Sequence, residues 1–189
     1  IHHRLVGSEM CIRDRDGSIP TELDGIYVRT GPNPKDGKGS HWFLGDGMVH
    51  GIRLKKGKAE WYRNRFVQTP DITEPLTDPM AGLGDLRRGK GNTHVVAHNE
   101  QIMCLEEAHW PWTINADLET TGVLNYEGKL DCSMTAHPKV CPVTGELLAF
   151  SYFSFEQPYL KYIRVSADGK LQQIEGIELP EMVMMHDFN

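Results

Sequence analysis

Two histidines stand in contexts that suit metal binding. His137 is followed by Pro138, which favours an extended backbone, and His186 is followed by Asp187, which can orient a neighbouring group. Each histidine comes after a run with the character of a β-strand, which we expect to be largely buried. A neutral imidazole is a common protein ligand of first-row transition metals. The pattern predicts a metal site at these two residues, and the alternative is a pair of core histidines with satisfied hydrogen bonds.

Short strands separated by turns account for most of the chain. Hydrophobic runs alternate with turns rich in Gly, Pro, Asn and Asp, and no segment shows ten or more residues of helical periodicity. We predict an all-β fold. The predicted strands cover residues 25–30, 41–44, 48–54, 59–68, 94–97, 101–105, 131–136, 147–155, 159–165, 171–179 and 182–188.

The segment 76–91 departs from this pattern. It carries several apolar residues followed by Arg87, Arg88 and Lys90, which is consistent with one short amphipathic helical turn. We expect a surface loop. The alternative is a membrane-touching edge, because apolar side chains with a basic flank suit anionic headgroups.

Composition excludes several classes of function. The 189 residues include 20 basic and 26 acidic residues, giving a net charge of −6, and the scattered cations do not predict nucleic-acid binding. No apolar run approaches the length of a membrane span, and no secretory signal is visible. The four cysteines have no zinc-binding spacing, so free thiols in a reducing cytoplasm are expected.

The spacing of His94 and His98 invites comparison with helical zinc motifs. On a strand, however, four residues span roughly 13 Å, which is too far for two ligands of one ion. We therefore exclude this pair as a metal site. His41, His50 and His109 lie in hairpins or beside aromatic residues, and we expect structural or solvent-facing roles for them.

Five segments together resemble the carotenoid cleavage oxygenase family. They are residues 25–34, 41–51, 92–93, 135–139 and 185–188, and they occur in the family's order. The resemblance implies a seven-bladed β-propeller with one Fe(II) held on its axis by four histidines. His137 and His186 match the first two ligands, and their separation of 49 residues (186 − 137) suits equivalent strands of neighbouring blades.

The length sets how much of that fold is expected. A chain of 189 residues is too short for seven four-stranded blades, so we predict an incomplete propeller of about three blades over residues 16–189. Residues 1–15 do not resemble the family and are expected to be a non-native or disordered leader. The other two ligands are expected beyond Asn189, so this chain alone is expected to be inactive.

The resemblance also assigns residues around the metal. The family has a carboxylate that orients a ligand histidine, and alignment on Pro111 assigns this role to Glu107, whereas a different gap would assign it to Glu106. A solvated acidic pair is the alternative. Phe43 matches a residue that lines the family's substrate tunnel, with core packing as the alternative. The stilbene-cleaving branch carries a Lys at the position of Glu106, which here favours an apolar polyene.

The resemblance implies an Fe(II) dioxygenase that cleaves a carbon–carbon double bond of a carotenoid or apocarotenoid to carbonyl products. Its partners would be an apolar polyene and O₂. Two alternatives stay open: a stilbene-cleaving oxygenase and a propeller that lacks catalysis and binds another protein. We expect a cytoplasmic protein, with peripheral membrane contact through 76–91 as the open alternative.

Overall fold

Three antiparallel sheets make up the part of the chain that the computed structural model describes, residues 16–38, 41, 43–82 and 84–188. The first sheet contains β1 (Asp24–Pro32), β2 (Gly47–Lys55) and β3 (Lys58–Phe66). The second contains β4 (His94–His98), β5 (Gln101–Leu105), β6 (Trp112–Ile114) and β7 (Thr120–Val123). The third contains β8 (Lys139–Val140), β9 (Leu147–Ser151), β10 (Leu160–Val165) and β11 (Leu171–Ile177). The predicted all-β class is confirmed.

Each sheet is a meander in which consecutive strands pair. The strand orders are β1-β2-β3, β4-β5-β6-β7 and β11-β10-β9-β8. The turn between β4 and β5 shows why local sequence suffices here: Asn99 and Glu100 both have positive φ, 44° and 61°, as tight hairpin turns require. Asparagine tolerates this conformation better than most residues. Short turns therefore establish the register of the β2–β3, β4–β5 and β10–β11 hairpins.

The second sheet is packed between the other two. Met103 and Leu105 of β5 point into one hydrophobic cluster, shared with β9 and β10 residues such as Ala149 and Ile163. Cys104, between them, points into the other cluster, with Val49 of β2. Side chains alternate between the faces of a strand, so one strand supplies both cores.

Three predicted strands are not strands in the structure. Residues 41, 43 and 44 belong to the loop between β1 and β2, because Pro32 pairs directly with Gly47. Trp42 lies outside the described residues. Residues 131–136 are largely buried yet form no ladder, and 182–188 lie beyond β11 with no paired strand in the described chain. Hydrophobic character predicts burial, but a strand also needs a neighbour at the right register.

The connection from β3 to β4 contains the described helical turns. They are α1 (Pro70–Thr73) and two 3₁₀ turns, Pro79–Gly82 and Leu86–Arg88. Lys90 Nζ lies 2.8 Å from Asp71 and 3.1 Å from Asp46, and Arg88 lies 2.9 Å from Asp71. We call these four residues the loop ion cluster. It ties the connection to the first sheet and turns Arg88 and Lys90 toward carboxylates, and the third cation of 76–91, Arg87, pairs with Asp85 at 2.8 Å.

Candidate metal centre

The backbone around His137 is held by single hydrogen bonds rather than by a ladder. Thr135 N donates to Phe150 O at 2.8 Å, and Met134 N donates to His109 O at 3.1 Å. The His137 amide donates to Thr135 Oγ1 at 3.2 Å. Residues 132–136 are all buried, so this extended segment lies between the second and third sheets. His137 emerges at its end with its ring half-buried.

His186 reaches the same place from the other end of the described chain. Asp187 pairs with Lys139 at 2.7 Å, and Phe188 packs edge-on against Phe150 with ring centroids 5.0 Å apart. These two contacts anchor the segment on the third sheet although it forms no strand. His186 Nε2 then lies 3.0 Å from His137 Nε2. The two predicted ligands, 49 residues apart, meet with their ring nitrogens facing each other.

Glu107 is the third member of this cluster. Its Oε1 lies 2.9 Å from His186 Nδ1 and 4.0 Å from His137 Nε2. These three residues can bring one ligand atom each within 4.8 Å of one another. His186 therefore presents Nε2 to His137 and Nδ1 to the carboxylate. With Nδ1 carrying the proton toward Glu107, Nε2 keeps a lone pair for a metal.

The distances fit a metal ion held by the two imidazoles. Two nitrogens that each lie about 2.1 Å from an ion at a right angle are about 3.0 Å apart, and 3.0 Å is observed. Glu107 Oε1 is buried, and its 2.9 Å contact with His186 Nδ1 is a charge contact rather than a well-aligned hydrogen bond, so this oxygen has no hydrogen-bond partner among the described residues. Burial, and then the neighbouring His186, lower the pKa of His137. A neutral imidazole is the form that binds metals.

Two further residues contact the cluster without having been predicted. The Tyr152 hydroxyl donates to Glu107 Oε2 at 3.1 Å. His94 Nδ1 donates to Ala136 O at 2.8 Å, and its ring centroid lies 5.3 Å from that of His137. Both lie more than forty residues from their partners in sequence. No local pattern predicts either contact: Tyr152 lies within a predicted strand, and the spacing of His94 to His98 resembles a zinc motif only on a helix.

The structure also shows which groups His94, His98 and Glu106 contact. His98 Nε2 donates to Gly145 O at 2.9 Å while His94 contacts Ala136, so the two histidines bind different carbonyls. Glu106 accepts a hydrogen bond from the Ala108 amide at 3.1 Å and contacts His109 Nδ1. Of the two candidate carboxylates, the structure therefore brings Glu107, not Glu106, to the histidines.

Phe43 lies in the loop between β1 and β2, and its side chain stacks edge-on with His41 at 5.1 Å between ring centroids. The residue is 72% exposed in this structure, which argues against core packing. Its carbonyl accepts a hydrogen bond from Asn92 Nδ2 at 2.9 Å. The tunnel-lining role stays a prediction. The same holds for a leader at residues 1–15, which lie outside the described residues.

Comparison with known proteins identifies the family. The family model for retinal pigment epithelial membrane protein matches residues 6–189. The chain belongs to this family. It is the carotenoid cleavage oxygenase family that the five sequence segments resemble.

Individual relatives agree with this assignment. The chain is 37% identical to the carotenoid 9,10(9′,10′)-cleavage dioxygenase 1 of Arabidopsis thaliana, over 98% of this chain and 42% of the relative. It is 39% identical to a carotenoid cleavage oxygenase of Mycobacterium tuberculosis, over 92% of this chain and 36% of the relative. The chain thus spans about two fifths of the length of these curated relatives.

A solved structure confirms the architecture. The chain is similar to the Pseudomonas brassicacearum lignostilbene dioxygenase with a TM-score of 0.78 and 33% identity, over 92% of this chain and 40% of that one. The prediction of part of a β-propeller, with about three blades present, is confirmed. None of the described helices is long and apolar enough to cross a membrane.

Proposed function

We propose that the protein contributes His137 and His186 to an Fe(II) centre of a dioxygenase that cleaves a carbon–carbon double bond of a carotenoid or apocarotenoid. The observation that carries the proposal is the facing pair of Nε2 atoms, 3.0 Å apart, with Glu107 against His186 Nδ1. Family membership and the names of the relatives support the same reaction class. The remaining ligands would come from residues that this chain does not contain.

The residues present support this chemistry in distinct ways. The two neutral imidazoles would bind the iron, and Glu107 would hold His186 in the tautomer that leaves Nε2 free. A bound Fe(II) would supply open coordination positions for O₂ activation beside the double bond. The carboxylate of Glu107 also supplies negative charge next to an otherwise all-imidazole ligand set. Dioxygen would provide the oxygen atoms of the two carbonyl products.

A stilbene is the second candidate substrate class, because one similar solved structure is a lignostilbene dioxygenase. Glu106 bears on this choice. It stands where the stilbene-cleaving branch has a Lys, and its carboxylate contacts the Ala108 amide and the His109 ring. An acidic residue engaged in local contacts does not offer the cationic partner of a phenol. We therefore favour an apolar polyene.

Metal analysis of the natural full-length gene product tests the metal centre. We expect one Fe(II) per protein, and loss of bound iron in His137→Ala and in His186→Ala. His50→Ala is the matched control, because His50 bonds to the Tyr62 hydroxyl in the first sheet and should leave iron content unchanged. Full iron occupancy in either ligand variant would contradict the proposal.

Product analysis tests the substrate class. The Fe(II)-loaded full-length protein is incubated with a β-apocarotenal and, separately, with a hydroxylated stilbene, and the carbonyl products are separated by chromatography. We expect cleavage of the apocarotenal. Cleavage of the stilbene alone would reverse the preferred substrate, and iron binding without cleavage of either would favour a propeller that binds without catalysis.

A further inference from the structure

Tyr152 is buried directly behind the candidate metal centre. It follows the last residue of β9 and is 3% exposed. Its hydroxyl donates to Glu107 Oε2 at 3.1 Å, while the other oxygen of the same carboxylate lies 2.9 Å from His186 Nδ1. A continuous chain of contacts thus runs from Tyr152 through Glu107 to a proposed ligand.

We propose that Tyr152 is a positioning residue of the metal centre, whose hydroxyl holds the Glu107 carboxylate so that its other oxygen meets His186. The inference rests on the proposed metal role of His186. It adds a specific polar contact that family membership does not assign. Tyr152 would act through Glu107 and would touch neither metal nor substrate.

The carboxylate needs such an anchor. The terminal torsion of a glutamate side chain is broad, so a carboxylate bonded on one side can rotate away. Glu107 lies beyond the end of β5, where no ladder holds it. The other hydrogen bond to Oε2, from the Ala136 amide, is long at 3.5 Å. The Tyr152 hydroxyl is therefore the shorter of these two contacts on that oxygen.

The tyrosine is itself held in place. Its ring packs against the buried Phe150 and the partly exposed Phe153, with centroids 5.6 Å and 5.8 Å away, and these contacts restrict the position of the hydroxyl. Burial and the neighbouring Glu107 raise the pKa of Tyr152. The hydroxyl stays protonated at neutral pH and can only be the donor toward an ionised carboxylate. Packing therefore fixes the donor, and the donor fixes the carboxylate.

The test uses Tyr152→Phe in the full-length gene product, with Co(II) as a spectroscopic probe for the site. We expect the dissociation constant for Co(II) to rise about threefold to tenfold, below the 10–100-fold typical of losing the ligand-orienting group itself. The visible absorption of bound Co(II) should shift as well, because His186 is held less firmly. Tyr62→Phe is the matched control, since it also removes a hydroxyl that contacts a histidine, His50, at 2.7 Å in the first sheet.

A double-variant comparison separates positioning from general stability. In a Glu107→Ala background, Tyr152→Phe should cause no further loss of Co(II) affinity, because the group through which it acts is gone. An equal further loss there would overturn the inference, as would an unchanged affinity and spectrum in Tyr152→Phe alone. Thermal unfolding of the metal-free variants runs in parallel, and a change confined to stability also counts against the proposal. Failure of the wild-type protein to bind Co(II) would instead overturn the metal centre itself.

Discussion

Replacement of Glu107 by Gln tests the assignment of the orienting carboxylate most directly. The change keeps the size of the side chain and removes its charge. In the structure Glu107 Oε1 lies 2.9 Å from His186 Nδ1 and Oε2 accepts from Tyr152 at 3.1 Å. A glutamine offers one oxygen and one NH₂ group, so its oxygen can face only one of these two partners and its NH₂ group must turn toward the other.

The expected magnitude follows from the charge-assisted interaction that the substitution removes. Removing the group that orients a metal ligand usually costs about 10–100-fold in metal affinity, and about 1.4 kcal/mol corresponds to a factor of ten. Without the negative charge beside His186, iron binding should weaken by a factor of this size. We expect Glu107→Gln to weaken iron binding or activity within this range.

Glu106→Gln is the matched control, because the adjacent carboxylate contacts His109 and the Ala108 amide instead. Its effect on metal affinity should stay below about threefold, since no ligand orientation depends on it. Competition with a chelator of known affinity measures both variants under one set of conditions. A larger loss of affinity in Glu106→Gln than in Glu107→Gln would refute the assignment and show that the neighbouring residue orients the ligand.

Three further predictions test the fold outside the candidate metal centre. Gly47→Ala should lower the free energy of unfolding, measured by denaturant titration, by about 3 kcal/mol, because an added Cβ would lie 2.2 Å from the Lys90 carbonyl oxygen. Gly25→Ala is the control: its added Cβ would have nothing within 4 Å, so the free energy of unfolding should change by about 0.5 kcal/mol or less. Asp71→Asn should cost about 2 kcal/mol at pH 7. Burial raises the pKa of Asp71, but hydrogen bonds from the two cations of the loop ion cluster outweigh burial and lower this pKa below 3.8. The stabilisation from the charged Asp71 is therefore present above pH 3.8. It should vanish in acid unfolding series as the pH falls further. Cys141 should react with iodoacetamide before Cys104 in mass-spectrometric time courses. Hydrogen bonds from the adjacent turn lower the pKa of the half-buried Cys141 thiol, whereas burial raises the pKa of the Cys104 thiol to about 12. Equal reaction rates would contradict the structure.

Local sequence determined most of the strands and the hairpins that join them. The β4–β5 hairpin shows why: its strands and its turn residues are contiguous, and Asn99 accepts the positive φ that the turn needs. The same holds for the β10–β11 hairpin. The two predicted metal ligands were also accessible from sequence, because each histidine carries a recognisable local context. These features depend on residues within a few positions of one another.

Tertiary structure decided the features that depend on distant residues. Residues 131–136 alternate polar and apolar side chains as a strand does, but their hydrogen bonds go singly to partners such as Phe150 and His109. Glu106 and Glu107 lie beyond the end of β5, where strand alternation no longer predicts which side chain faces the metal-site histidines. Only the folded structure distinguishes the two carboxylates.

The contacts of Tyr152 with Glu107 and of His94 with Ala136 bridge 45 and 42 residues. The 3.0 Å approach of His137 to His186 likewise joins residues 49 apart. Such contacts follow from how the second and third sheets pack, and packing is a property of the whole folded chain rather than of any short segment.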